Sequence, residues 1–208
     1  MTQLEQLRTA AGRDVSRETY ERVEHYVAAL IDENQRQNLV SPATIPNLFH
    51  RHIVDSAQLL ALSPRPSEPW VDIGTGPGLP GLVIALVTDA PVTLVEPRAL
   101  RVQFLERMAA QLDLRDRVTI VHGKAHLATG RFANITARAV AALPKFFELA
   151  GHLADAETIW VLPKGKSAKS ELEETKKLWQ GSFRLVPSQT DPDAAILVAT
   201  GVQRKGKR

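Results

Sequence analysis

Apolar residues in the first third of the chain recur at helical spacing. Val23, Tyr26, Val27, Leu30 and Ile31 form one stripe running to about Asn38, with Ser16 as a plausible N-cap. Glu18 and Glu21 fall in the first turns, where carboxylates suit the helix dipole. Pro42 and Pro46 break the pattern, and a second helix is predicted near residues 48–60, with Leu48, His52, Asp55 and Leu59 on related turns. The segment Ser63–Pro69, "SPRPSEP", is the best boundary in the sequence, dividing a helical N-terminal extension (1–66) from a second domain (67–208).

Beyond that boundary the rhythm changes. Short β-rich runs fall at Trp70–Ile73, Val92–Glu96, Val118–His122, Ile135–Ala137, Thr158–Leu162, Phe183–Pro187 and Ala195–Ala199. Helix-like stretches lie between most of them, at 79–87, 98–112, 139–153 and 167–180. Such alternation predicts an α/β fold, a mainly parallel sheet covered on both faces. Only "SQTDPDA" separates the last two runs, too little for a crossover helix, so they are expected to pair antiparallel. A parallel sheet with an antiparallel last strand fits the Rossmann-like class I methyltransferase fold better than the all-parallel sheet of a dehydrogenase.

Composition narrows the chemistry. The chain has 208 residues, 44% of them apolar, enough for one domain with a proper core and a small appendage. The longest apolar run is far shorter than a membrane span, and "MTQLEQLRTAAGRD" lacks the features of a signal peptide, so a cytoplasmic monomer with no membrane partner is expected. The absence of cysteine excludes disulfides, thiolate metal sites and thiolate nucleophiles. A net charge of +3 and the tail "RKGKR" (Arg204–Arg208) lean slightly towards an anionic partner. His50 and His52 flank Arg51 with no carboxylate-rich partner at metal spacing, so no metal site is expected. Ser167–Trp179 reads as a solvated helix face with i,i+4 pairs Lys169/Glu173 and Glu173/Lys177.

The candidate site centres on "VDIGTGPGLPG", residues 71–81. Gly76, Gly78 and Gly81 satisfy a dinucleotide fingerprint, while Asp72, Gly74, Gly76 and Gly78 spell the D-x-G-x-G-x-G of an S-adenosylmethionine loop. Glycines at a strand-to-helix turn let the backbone approach a ligand closely. Asp72 is placed to face the cationic methionine end of the sulfonium cofactor. Glu96 ends the next strand 18 residues after Gly78, where a carboxylate can accept from both ribose hydroxyls, a feature shared with NAD enzymes. Asp72 and the sheet order favour the sulfonium.

The methyl acceptor is narrowed by what is missing. The stretch after the fourth strand reads "TARAVAALPK" rather than the Asn/Asp-Pro-Pro-aromatic motif of exocyclic-amine methylation, and no cysteine serves pyrimidine carbon-5 chemistry. A ring nitrogen such as guanine N7 has an in-plane lone pair and no proton to lose, so it needs positioning and electrostatics rather than a base. No catalytic residue is identified. Arg138 and Lys164 follow the fourth and fifth strands, where carboxyl ends line the ligand crevice. A cation beside N7 would oppose the charge that forms there, so both are assigned to binding.

"RHIVDS" (Arg51–Ser56), "VDIGTGPGLPG", "TARAVAAL" (Thr136–Leu143) and "LPKGK" (Leu162–Lys166), in this order and spacing, resemble the GidB/RsmG family of bacterial small-subunit ribosomal RNA guanine-N7 methyltransferases. The resemblance runs from about Asn38 to the final strand. It implies S-adenosylmethionine as donor, small-subunit ribosomal RNA as partner, and a small helical part preceding the methyltransferase domain. By position it implies cofactor contacts at Gly74, Leu79 and Arg138, an adenine-side contact at Ala125 and His126, and packing or RNA contact for Arg51, His52 and Asp55. Lys124 joins Arg138 and Lys164 in holding the RNA. Relatives often carry glutamate at His126 and aspartate at Ala133, which bears on cofactor affinity. A methyltransferase for another RNA, a small molecule or a protein, a nicotinamide-dependent oxidoreductase, and a non-catalytic cofactor-sensing RNA binder are the rival readings.

Overall fold

The first helix, α1 (Gln3–Ala11), opens on a reciprocal cap: the Thr2 hydroxyl accepts from the Glu5 amide at 3.2 Å, and the Glu5 carboxylate accepts from the Thr2 amide at 2.6 Å. The apolar pattern does not single this helix out. In the computed structural model, which describes residues 1–206, Ser16 caps α2 (Arg17–Glu33) as predicted, accepting from the Thr19 amide at 3.1 Å. Lys207 and Arg208 of the basic tail lie outside the described residues.

Helix α2 stops short of the expected end at Asn38. The Asn34 side-chain oxygen accepts from the amides of Leu39 and Val40 at 2.8 and 2.9 Å, which folds the chain back. Val23, Tyr26 and Leu30 are buried, whereas Ile31 stands 37% exposed, one position off the inward stripe. The second helical segment is irregular. A 3-10 stretch (Pro42–Asn47) leads into a π-helical turn (Phe49–Val54), then α3 (Asp55–Ala57) and a 3-10 turn (Leu60–Leu62). The proline-rich boundary is pinned rather than loose: Asn134 donates to the Arg65 carbonyl at 2.9 Å, and the Trp70 indole donates to that of Pro66 at 3.0 Å.

Strands β1 (Trp70–Ile73), β2 (Val92–Glu96) and β3 (Val118–His122) have the predicted bounds; β4 (Asn134–Thr136) begins one residue early. Strands β5 (Ile159–Lys164), β6 (Trp179–Pro187) and β7 (Ala195–Arg204) complete one sheet in the order β3-β2-β1-β4-β5-β7-β6. Pairings from β3 through β5 are parallel, and β7 runs antiparallel to both β5 and β6. Helices α4 (Gly81–Val87), α5 (Ala99–Gln111), α6 (Leu143–Ala150) and α7 (Ala168–Leu178) follow β1, β2, β4 and β5.

Two of these helices depart from expectation. Helix α6 starts at Leu143 rather than 139, because Pro144 belongs in a first turn and leaves residues 138–142 as a loop at the end of β4. On α7 the ion pairs are Lys176–Glu173 and Lys177–Glu174, both at i,i+3, rather than the two pairs expected at i,i+4.

Each face of the sheet carries its own apolar cluster. Val71, Ile73 and Trp160 pack with α6, where Phe147 meets Trp160 edge-on at 4.9 Å between ring centroids. Trp70, Leu94 and Val161 pack on the other face with α4, α5 and the N-terminal helices, so Leu7, Tyr26 and Leu30 share one cluster with Leu82 and Ile84. Truncating fully buried Leu30 to alanine is expected to cost about 2–5 kcal/mol. Urea unfolding followed by tryptophan fluorescence, which reports on the sheet, and by far-ultraviolet circular dichroism should show one coincident transition in both proteins.

Candidate cofactor and RNA site

The glycine loop between β1 and α4 is shaped by a buried carboxylate. Asp72 is fully buried, and its Oδ2 accepts from the Thr75 hydroxyl at 2.6 Å and from the Gly81 amide at 2.8 Å. Burial raises the Asp72 pKa to about 6, while those two hydrogen bonds and the charge of Arg138 oppose the rise. Helix and strand approach closely enough that a Cβ on Gly81 would meet Leu94 Cδ2 at 2.2 Å and Asp72 Oδ2 at 2.9 Å. Gly74, at φ +68°, lies under Val140 of the 138–142 loop, whose Cγ2 would sit 2.7 Å from an added Cβ.

Glu96, at the end of β2, is also buried; it accepts from the Gly76 amide and from the Arg98 amide, each at 2.9 Å. The loop is braced from the other side by Tyr26, whose hydroxyl donates to the Pro77 carbonyl at 3.0 Å. Sequence reading had Tyr26 only as a member of an apolar stripe. The one available signal was chemical, since a buried phenol needs a partner for its hydroxyl.

The polar atoms fit a cationic, ribose-bearing cofactor. Asp72 Oδ1 and Thr136 Oγ1 are buried without a hydrogen-bond partner, and the two residues are register partners on β1 and β4. A carboxylate oxygen in that state suits a positively charged ligand group, and Val140 of the 138–142 loop covers the neighbouring Gly74. Across β2, Ala125 is buried while Lys124 and His126 are exposed; the Gly123 amide donates to the Glu96 carbonyl at 3.0 Å and ties this loop to the end of β2. Ala133 lies at the opposite end of β4 from Arg138, away from the crevice.

On the other side of the 138–142 loop lies a cleft of about 470 Å³, lined by Arg51, Asp55, Arg138, Lys164, Thr190 and Asp191 among others. Its size is typical of small-molecule sites, about 300–1,000 Å³. Arg51 donates to Asp191 at 3.1 Å, and Asp55 accepts from the Thr190 hydroxyl at 2.6 Å, so the "RHIVDS" segment is latched onto the turn between β6 and β7. Lys164 is held inside the protein, donating to the Ala141 carbonyl at 2.9 Å and pairing with Glu171 at 3.1 Å. Lys124, grouped with Arg138 and Lys164 on the basis of sequence, sits across the glycine loop from this cleft. Among the described residues, no three His, Asp or Glu side chains gather as a metal site, and no helix is long and apolar enough to cross a membrane.

His52 supports the wall residue Arg138 and has both ring nitrogens engaged, one by Thr44 at 2.8 Å and one by Arg138 at 3.1 Å. Burial, then the charges of Arg138 and Arg51, lower its pKa to about 4. Between the ordinary value near 6.5 and about 4, the unfolded chain takes up a proton there and the folded chain does not, so falling pH removes stability across that window. Asp72, with its folded pKa raised, acts in the opposite sense over much of the same range. The two therefore offset in the wild type, and a His52→Asn comparison separates them. The stability lost on this substitution should be largest near pH 7 and shrink as pH falls towards 4, as urea midpoints across that range would show.

The family model described as "GidB: rRNA small subunit methyltransferase G" matches residues 19–190. Two curated proteins called ribosomal RNA small subunit methyltransferase G are close relatives. The one from Rhizorhabdus wittichii is 44% identical over 210 residues, covering 100% of this chain and 96% of the relative. The one from Zymomonas mobilis is 43% identical, with 93% and 91% covered. Among solved structures, a methyltransferase from Geobacter sulfurreducens superposes with a TM-score of 0.61 at 14% identity, covering 84% of this chain and 87% of that one. An O-methyltransferase from Bacillus cereus in complex with SAH gives 0.58 at 15%, covering 85% and 90%. These two share the class I methyltransferase fold. The chain belongs to the GidB family of S-adenosylmethionine-dependent methyltransferases, rRNA small subunit methyltransferase G.

Proposed function

We propose that this enzyme transfers the methyl group of S-adenosylmethionine to N7 of a guanine in small-subunit (16S) ribosomal RNA, acting as a cytoplasmic monomer. The observation that carries the reading is one loop shared between the glycine turn and the cleft. Arg138 and the 138–142 loop border the glycine loop on one side and the 470 Å³ cleft on the other, so a donor and a base can meet across them.

Bound cofactor supplies an electrophilic methyl group. Asp72, Gly74, Gly76, Gly78 and Leu79 form its cradle, Glu96 takes the ribose hydroxyls, and Ala125 and His126 flank the adenine. Arg138 contacts the cofactor from the acceptor side. N7 attacks through an in-plane lone pair and loses no proton, so the chain's part is to orient the base and exclude water. The cleft carboxylates already have partners: Asp55 accepts from Thr190, Asp191 from Arg51, and Glu171 pairs with Lys164. Arg51 and Arg138 contribute positive charge for the RNA at the cleft, Lys124 does so beyond the glycine loop, and Lys164 acts through the loop that it supports. In an RNA duplex N7 faces a deep groove that side chains do not enter, so the target guanine is exposed or distorted. Residues 1–66 serve as the helical extension that brings Arg51 and Asp55 to the cleft.

The test uses small subunits from cells lacking their own copy of such an enzyme, intact and deproteinised, incubated with methyl-labelled donor and then digested to nucleosides. Label is expected in 7-methylguanosine and should decline steeply with added salt. Absence of transfer to either substrate, with cofactor binding confirmed, would remove the assignment. Glu96→Ala should weaken binding of S-adenosylhomocysteine about tenfold or more by calorimetry, given the strength of hydrogen bonds to a carboxylate.

A further inference from the structure

His52 projects from the π-helical turn Phe49–Val54, a local widening that recurs at functional sites. Its surroundings fix its protonation. The Thr44 hydroxyl spends its one proton on the Ser41 carbonyl at 2.7 Å and can only accept from the ring nitrogen 2.8 Å away. His52 Nε2 therefore carries the hydrogen and Nδ1 is bare. Arg138 Nη1 donates to that bare nitrogen at 3.1 Å, and the same nitrogen of Arg138 lies 3.7 Å from Asp55 Oδ2. The Ser56 hydroxyl, donating at 2.6 Å to the His52 carbonyl, holds the turn that presents the ring.

A side chain with both nitrogens spent inside the protein is not a free contact for RNA. The geometry points to a different role: His52 is a positioning residue that aims the Arg138 guanidinium at the cofactor crevice through its unprotonated Nδ1. A neutral acceptor suits this better than a second carboxylate. It orients the guanidinium without neutralising it, and the hydrogen bond from Thr44 prevents the ring from turning its N–H towards Arg138. The inference rests on Arg138 being a cofactor contact, as proposed above.

The experiment measures the Kd of S-adenosylhomocysteine for the full chain and for His52→Asn, His52→Gln, His52→Phe, Arg138→Ala and the double variant His52→Phe/Arg138→Ala. An asparagine oxygen reaches the place of Nδ1, whereas glutamine reaches only that of Nε2. His52→Asn is therefore expected within about threefold of wild type, and His52→Gln and His52→Phe about tenfold weaker. The double variant should be no weaker than Arg138→Ala alone, since residues acting through one group are not additive. Multiplying losses in the double variant, or an asparagine variant as weak as the phenylalanine one, would overturn the positioning role while leaving Arg138 at the cofactor. An Arg138→Ala variant with unchanged Kd would instead remove Arg138 from the cofactor site, and the inference with it. Should His52→Phe fail to fold, the contrast between His52→Asn and His52→Gln decides.

Discussion

A buried carboxylate holding the start of a helix is the constraint around which this molecule is arranged. Asp72 has no solvent contact, yet its Oδ2 takes two short hydrogen bonds, one of them from the backbone of Gly81. That bond draws α4 against β1 so tightly that residue 81 has no room for a side chain. The loop between them must then turn within a few residues, which puts Gly74 and Gly78 at positive φ and aims the Gly76 amide at Glu96. The energetic cost is a carboxylate kept from water, visible in its raised pKa. The return is a rigid loop whose backbone amides are engaged inside the protein, by the carbonyls of Val95 and Thr75 and the carboxylates of Glu96 and Asp72.

The N-terminal helices act on this cradle rather than merely covering it. Tyr26 reaches the Pro77 carbonyl from α2, and His52 reaches Arg138 from the π-helical turn. That turn and the start of α3 latch onto the β6–β7 connection, through Arg51 and Asp55 respectively. One short segment thus touches the residues on both sides of the 138–142 loop. Loosening that segment would be felt on both sides of the loop, although it contributes no strand to the sheet.

Much of the fold was legible because burial on both faces makes parallel strands read as short apolar runs, and β1, β2 and β3 are bounded as the runs predict. The antiparallel end followed from a connection too short for a helix. Helix ends were less legible. Asn34 stops α2 by binding amides five and six residues ahead, a choice that periodicity does not encode. Side-chain partners across the fold were least legible. Glu171 lies in a stretch that reads as a solvated face, yet it reaches Lys164, and Thr44 fixes the tautomer of His52 from a segment read only as a break between helices. The glycine loop and Glu96 were found because their spacing is local. The contacts of Tyr26 with Pro77 and of His52 with Arg138 were not, because they join distant segments.

The placement of β7 between β5 and β6 has a consequence for how the chain assembles. Strand β6 is synthesised first but pairs only with β7, so it has no place in the sheet until residues 195–204 leave the ribosome. Until then β5 presents an open, apolar edge beside the 470 Å³ cleft, and the turn that meets Arg51 and Asp55 has no second strand to hold it. Strands β1 to β5 pair with one another without β6 or β7 and can form while translation continues, whereas the turn carrying Thr190 and Asp191 is secured only when β7 enters the sheet.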